Sequence, residues 1–328
     1  MNAEIIDPQA SHIETELARI RTLLERSDFA RALAAAETLL VEAPENRDVL
    51  YMIAVSQRYL KRIPEALATL ASLEELHPKF GRLFQERGHC YVGLRSAGEA
   101  IDAFERAVNL NAALPASWNS LQVLYRMTGR LADADTAAAH VAKLASLPPE
   151  IVTATGLFAD GDVADAERIV RQFLLTHGDH IEGMRLLAKI GMELDILDDA
   201  ELLLESVLVL APDYHAARYD YAIVLLKRHK HVRAREEIDR LLKLDPGNRV
   251  YRTTDAGVCM GLGDSERALP LYGELLHETP HDPGLHLSVA HALKTLGRSQ
   301  EAIESYRAAT AAKTTRDGSI SLACRMTR

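Results

Sequence analysis

Alanine recurs at one fixed phase through nearly the whole of this 328-residue chain. Successive members of the series are 34 residues apart, with a single gap of 32. The series consists of Ala32, Ala66, Ala100, Ala134, Ala166, Ala200, Ala234, Ala268 and Ala302. A fixed period of this length is the sequence signature of a repeat architecture, in which each unit packs on its neighbours and the core grows linearly.

Two further markers run in step with these alanines. Twelve residues after five of them stand Pro44, Pro78, Pro212, Pro246 and Pro280. Twelve residues before seven of them stand Ala54, Gly88, Ala154, Ala188, Ala222, Ala256 and Ala290. Two antiparallel helices approach closely where small side chains face each other, and proline ends a helix. Gly129, Gly161, Gly263 and Gly297 then fall in the turn between the two helices, where glycine adopts a left-handed conformation at little cost.

This pattern resembles the tetratricopeptide repeat family. The third unit carries the match most fully, with Gly88, Tyr91, Ala100, Phe104, Ala107 and Leu110 in the family's places. The resemblance implies an all-α, right-handed α–α superhelical solenoid of about nine repeats. We expect an N-terminal segment at 1–12, units one to four at 13–146, units five to nine at 147–316, and a tail at 317–328 that serves as a linker or partial cap.

Unit five is two residues out of register and opens with Leu147, Pro148 and Pro149. Each proline restricts the backbone of the residue before it. We therefore predict a local irregularity at 147–149, such as a bend between units four and five.

Composition narrows the classes of partner and compartment. The net charge of −9 argues against a nucleic-acid backbone as the main ligand, because neutralising phosphates needs clustered lysine and arginine. The chain start lacks a secretory signal, and no apolar run approaches the roughly 18 to 20 residues of a membrane span. Cys90, Cys259 and Cys324 show no CxxC spacing, which favours reduced, structural cysteines in a cytoplasmic protein.

No catalytic constellation stands out from the repeat pattern. The sequence has no glycine-rich phosphate loop after a strand, no HExxH motif and no serine elbow, so we predict no enzyme activity, no cofactor and no metal. His286 and His291 are five residues apart, which places them on different faces of a helix. The basic run from Lys227 to Arg235 is either a solvated turn, the favoured interpretation, or a docking point for an acidic segment or a phosphate.

In this family the first helix of each unit lines a concave groove, and its second, fifth, ninth and twelfth residues point inward. The candidate groove residues are Tyr51, Arg58, Arg82, Gln85, His89, Asn119, Arg126, Arg185, Lys189, Tyr219, His291 and Lys294. Together with Arg21, these positions hold seven basic residues against three acidic ones, so we expect an acidic or mixed-charge protein or peptide partner. Adding the sixth and thirteenth residues nearly balances the charge, which leaves an ordinary mixed surface as the alternative.

The functional prediction is a noncatalytic cytoplasmic scaffold that binds a peptide, a helix or a partner domain, with neither nucleic acid nor membrane as partner. Because the tail is short for a capping helix, we also expect self-association through the last repeat or continuation into a longer protein. The array resembles the N-terminal repeat region of bacterial tetratricopeptide-containing sulfotransferases, which implies, as an alternative, a substrate- or partner-selecting arm. A peptide-responsive regulator is a third alternative.

Overall fold

The computed structural model describes the backbone of residues 8–326 and the side chains of residues 12–312. The chain divides into two compact units between Thr176 and His177. All regular elements of the described residues are helices, which confirms the predicted all-α fold class.

The described residues of the first unit form ten helices. They are α1 (Pro8–Glu25), α2 (Phe29–Glu42), α3 (Arg47–Tyr59), α4 (Ile63–Leu76), α5 (Gly81–Gly93), α6 (Ala97–Leu110), α7 (Pro115–Met127), α8 (Leu131–Ala145), α9 (Pro149–Ala159) and α10 (Val163–His177), whose last turn contains the boundary. Consecutive helices from α1 to α8 pack on each other as stacked hairpins. The odd-numbered helices α1, α3, α5 and α7 also contact one another in order, so they form one face of the stack.

As far as Met326, the second unit forms eight helices. They are α11 (Ile181–Glu193), α12 (Leu197–Leu210), α13 (His215–Lys227), α14 (His231–Leu244), α15 (Arg249–Gly261), α16 (Ser265–Glu278), α17 (Pro283–Thr295) and α18 (Ser299–Met326). Consecutive helices of this unit also pack as stacked hairpins, so each unit taken by itself is an all-α solenoid. The expected tail at 317–328 is helical as far as Met326, in one helix with the start of α18, and its side chains lie outside the described residues.

Small side chains let the two helices of each hairpin approach closely, as the sequence predicts. The alanines of the 34-residue series are at most 3% exposed, and Ala54, Ala188, Ala222, Ala256 and Ala290 on the first helices are equally buried. A methyl group added at Gly88 would meet the ring of Phe104 at 2.7–2.8 Å. The 34-residue spacing therefore marks positions where the two helices of each hairpin are in close contact.

The turn between the two helices of each hairpin has a left-handed residue at one fixed place. Gly129, Gly161, Gly263 and Gly297 have positive φ there, which confirms the prediction for these glycines. In the other five hairpins the same place is held by Ser27, Lys61, Arg95, Asp195 and His229.

The segment that opens unit five contacts several earlier repeats. As the chain advances through α9 and the following turn, the residues it contacts come from progressively earlier repeats. The Nδ2 of Asn111 donates to the carbonyl of Gly156 at 2.9 Å, the amide of Gly81 donates to Asp160 Oδ1 at 3.1 Å, and Arg47 pairs with Asp162. We call residues 149–162 the return segment, because it runs back across the starts of α7, α5 and α3.

Candidate functional site

The first-unit residues predicted to line the groove lie on the face formed by α3, α5 and α7. Two of the three predicted arginines there are neutralised by carboxylates of the chain itself. The Nε of Arg58 lies 2.6 Å from Oε2 of Glu86, a buried residue. Burial raises the pKa of the Glu86 carboxyl, and the positive charge of Arg58 opposes that shift.

Arg82 is the second of these neutralised arginines, and its partners lie in the return segment. Its Nε lies 2.6 Å from Asp160 Oδ2, and one of its terminal nitrogens lies 2.9 Å from Asp162 Oδ2. Burial works against the charged guanidinium, but the two carboxylates outweigh it, and the pKa of Arg82 is raised. Arg82 therefore already binds an acidic segment, and that segment belongs to its own chain.

Three further predicted residues have packing partners. The ring of Tyr51 meets Phe80 edge-on, with centroids 5.4 Å apart, and the Oε1 of Gln85 accepts from the Ser117 hydroxyl at 3.0 Å. The ring of His89 lies edge-on to that of Phe104 at 5.1 Å. Burial, assisted by the charge of Arg58, lowers the pKa of His89 to about 4, so this imidazole is neutral at pH 7.

Asn119 and Arg126 on α7 remain exposed, and they border an apolar surface that the sequence reasoning missed. Val92, Val123 and Met127 are 46%, 57% and 75% exposed. They line a cleft of about 620 Å³ between α5 and α7. Of the described side chains that line it, only Arg95 is charged. We call Val92, Val123 and Met127 the apolar patch.

The sequence did contain a signal for this patch. Val123 and Val92 occupy the ninth and twelfth places of their units, and Met127 occupies the thirteenth, which are phases that we expected from the sequence to face the groove. The prediction considered polar and charged residues at those phases, whereas an exposed apolar residue on a folded helix is the more informative observation.

In the second unit, Arg185 and Tyr219 are engaged with side chains outside the predicted set. Arg185 lies 2.6 Å from Asp220 and donates to the hydroxyl of Tyr214 at 2.9 Å. The hydroxyl of Tyr219 lies 3.3 Å from the Thr254 hydroxyl. Lys189 is half-buried on α11, and Lys294 is exposed on α17.

His291, also on α17, contacts the second helix of its hairpin. Its Nδ1 lies 3.3 Å from the hydroxyl of Tyr306 on α18, and the two rings meet edge-on at 5.6 Å. The structure thus brings this histidine together with a neighbouring tyrosine.

The basic run at the α13–α14 turn is neutralised internally. Arg228, Lys230 and Arg233 surround the carboxylate of Glu201, at distances of 2.6 to 3.0 Å. Glu201 is buried, which opposes ionisation, but the hydrogen bond from Lys230 and the neighbouring positive charges lower its pKa. These cations bind the chain's own carboxylate, so the run is neither a plain solvated turn nor a vacant anion site.

The described residues contain neither a candidate metal cluster nor a helix that could span a membrane. No group of three or more histidine, cysteine, aspartate or glutamate side chains within that part of the chain is placed to hold a metal ion. No described helix combines the length and apolar character needed to cross a bilayer. Cys90 and Cys259 are buried free thiols, and burial raises the pKa of Cys90 to about 11.

Comparison with protein families gives tetratricopeptide repeat matches along the chain. They cover residues 17–79 and 260–316, residues 81–114, and residues 197–254, which together exceed half of its length. A comparison with curated proteins gives no match.

Solved structures show a more distant likeness. MamA from Desulfovibrio magneticus RS-1 is 14% identical over 52% of this chain and 99% of its own, with a TM-score of 0.46. A chain of the APC/C hetero-tetramer Cut9–Hcn1 is 17% identical over 85% of this chain and 55% of its own, with a TM-score of 0.43. Similarity of this degree concerns the general fold alone.

Proposed function

The chain belongs to the tetratricopeptide repeat family, and on that premise we propose that it is a noncatalytic scaffold whose first unit binds a segment of a partner protein. The observation that carries this proposal is the apolar patch, which exposes three large aliphatic side chains on the face shared by α5 and α7. Contiguous exposed apolar surface with a polar rim is typical of protein interaction sites.

The chemistry around the patch indicates the kind of segment it would accept. Arg95 lines the cleft, and Arg126 stands three residues after Val123 on the same side of α7. Both arginines are exposed. Aliphatic contacts would supply affinity, and the two arginines would favour acidic flanking residues and speed association. The partner segment we propose therefore presents apolar anchors next to aspartate or glutamate.

Nothing in the described residues favours the two narrower alternatives, a sulfotransferase selecting arm and a peptide-responsive regulator. The predicted groove residues that stay exposed on α7, Asn119 and Arg126, lie beside the patch and form part of the proposed surface. Arg185 is unsuitable as a test position, because its substitution would break an internal ion pair with Asp220.

The test is a peptide-display selection against the full chain, followed by affinity measurements on the selected peptides. We expect them to combine apolar and acidic residues. A Val123→Asp/Met127→Asp variant should bind them at least about tenfold more weakly, because tenfold corresponds to about 1.4 kcal/mol, less than the burial of one aliphatic side chain contributes. Arg126→Glu should weaken binding and flatten its dependence on salt.

Two matched controls use exposed residues on second helices. Val41→Asp on α2 makes the same replacement as Val123→Asp, at another exposed valine. Lys143→Glu on α8 makes the same reversal of charge as Arg126→Glu. Both controls should leave affinity unchanged. Selected peptides that bind the Val123→Asp/Met127→Asp variant as well as the unaltered chain would refute the proposed surface.

A further inference from the structure

The starts of α3 and α5 form a receptor for two carboxylates. Arg82 contacts Asp160 and Asp162, while Arg47 contacts the side chain of Asp162 and, at 2.8 Å, the carbonyl of Asp160. The amide of Gly81, at the first turn of α5, donates to Asp160 Oδ1 at 3.1 Å. Guanidinium groups and helix-start amides are the donors that proteins use for carboxylates.

The aromatic ring of Phe80 packs against both arginines of the receptor. The guanidinium carbons of Arg47 and Arg82 lie 4.7 and 5.2 Å from the centroid of the Phe80 ring, which is buried. Both arginines are thereby packed against Phe80 on one side. Arg82 donates to the acidic turn, while Arg47 donates both to that turn and to its neighbour Asp48, 3.1 Å away. The residues of this arrangement lie on α3, on α5 and in the connection between α4 and α5. They do not include the apolar patch.

Solvent reaches this network even though one carboxylate is buried. The side chain of Asp160 is fully buried, whereas those of Arg47, Arg82 and Asp162 are 20–29% exposed. An external carboxylate could therefore approach both arginines from the side of Asp162. Ion pairs of this exposure exchange more readily than fully desolvated ones.

The helix of the return segment is buried on one side, where Ile151 and Ala154 are at most 1% exposed, and borders a cleft on the other. A cleft of about 550 Å³ remains between α9 and the helices α7 and α8, and aliphatic side chains such as Val141, Leu144, Val152 and Leu157 line it. The contacts of the turn itself with α3 and α5 are ion pairs and hydrogen bonds.

We propose that the Asp160–Gly161–Asp162 turn is a displaceable internal ligand, and that a partner segment with two carboxylates separated by one residue binds Arg47 and Arg82 in its place. The proposal goes beyond the function proposed above, since it assigns a second site with its own ligand chemistry. An internal ligand acts at a high effective concentration, so the partner must compete with it. The receptor then responds only to segments that match the spacing and charge of the turn.

The test uses a synthetic peptide with the sequence of residues 157–166, which contains the turn, and a second peptide with asparagine at both aspartates of that turn. Binding to the full chain is followed by the NMR signal of the Gly81 amide, which reports directly on the receptor. We compare the unaltered protein with an Asp160→Asn/Asp162→Asn variant, whose internal ligand has lost its charge, and with that variant carrying Arg82→Gln.

We expect the acidic peptide to shift the Gly81 signal of the Asp160→Asn/Asp162→Asn variant at a concentration at least about tenfold lower than in the unaltered protein. The asparagine peptide, and the variant with Arg82→Gln, should show no such binding. Equal affinity for unaltered protein and variant, equal binding of the two peptides, or binding that survives Arg82→Gln would each overturn the proposal.

A folding control keeps the comparison decisive. The Gly98 amide lies on α6, away from the receptor, and its signal should stay in place in every variant that retains the stack. If the double variant fails this control, Asp162→Asn alone gives the same comparison, because it preserves the bond between Asp160 and the Gly81 amide. Substitutions in the apolar patch should leave this binding unchanged, which separates the two proposals.

Discussion

At the scale of single residues, the turn between the helices of each hairpin imposes one conformation on different side chains. Lys61, Arg95 and His229 adopt the left-handed conformation that Gly129 and Gly263 adopt at the same place in other repeats. For a residue with a Cβ this conformation costs roughly 1–2 kcal/mol. The stack therefore imposes backbone strain wherever the repeat lacks a glycine at this place.

Replacing Lys61 by glycine should stabilise the first unit. The strain is relieved, and the greater freedom of glycine in the unfolded chain offsets part of the gain, so we expect about 0.5–1 kcal/mol. The measurement is the urea midpoint of unfolding of the full chain. Lys79→Gly, in the connection between α4 and α5 and outside the left-handed positions, should instead destabilise slightly. A shift of both variants in the same direction would contradict the explanation.

At the scale of helices, a small residue on one helix of a hairpin allows a close contact with the other helix. Gly88 on α5 faces the ring of Phe104 on α6, which leaves no room for a methyl group. Gly98, at the start of α6, has no neighbouring atom within 4 Å of the place where a Cβ would stand. The two glycines thus offer a matched comparison of tight and open surroundings.

Gly88→Ala should destabilise the first unit by about 1–3 kcal/mol, because the added methyl overpacks the contact with Phe104. Gly98→Ala should leave stability unchanged or raise it by a few tenths of a kcal/mol, since alanine favours a helix over glycine. Thermal and urea unfolding of the two variants would measure the difference. Equal stability of the two variants would show that α5 and α6 can move apart at no cost to accommodate the methyl group. That result would contradict the close contact between Gly88 and Phe104.

Contacts between helices also indicate how much of the structure the sequence predicts. Pro44 and its equivalents, the buried alanines and the glycine turns report contacts between neighbouring helices, so periodicity predicted the hairpins. The irregularity expected at Leu147 to Pro149 stays a prediction. The sequence does not reveal the contact of Asp160 with Arg82, because the two residues are 78 apart and a 34-residue period carries no information about that pairing. Charge signs likewise suggested a basic groove at Arg82 without revealing its internal carboxylates.

At the scale of the whole molecule, each of the two units has its own buried core. Leu70 on α4 lies in one cluster of the first unit, and Leu241 on α14 is fully buried in the second. In stacked repeats, stability is approximately a sum over units and their nearest neighbours. Local damage should therefore spread through adjacent hairpins before it reaches distant ones.

Leu70→Ala and Leu241→Ala should each cost about 2–5 kcal/mol, but in different parts of the chain. Hydrogen exchange followed by mass spectrometry at moderate urea should show faster exchange before Thr176 for the first variant and after it for the second. The two variants serve as controls for each other. Equal loss of protection on both sides of Thr176 in either variant would show that the chain unfolds as a single cooperative body.

The return segment also bears on the order in which the first unit assembles. Arg47 and Asp162 are 115 residues apart in sequence, whereas Arg58 and Glu86 are separated by 28. Closing a longer loop costs more chain entropy, and contacts between distant residues form slowly. The docking surface of the return segment consists of the starts of α3, α5 and α7. We therefore expect the receptor, which emerges first from the ribosome, to form before the return segment docks on it during synthesis.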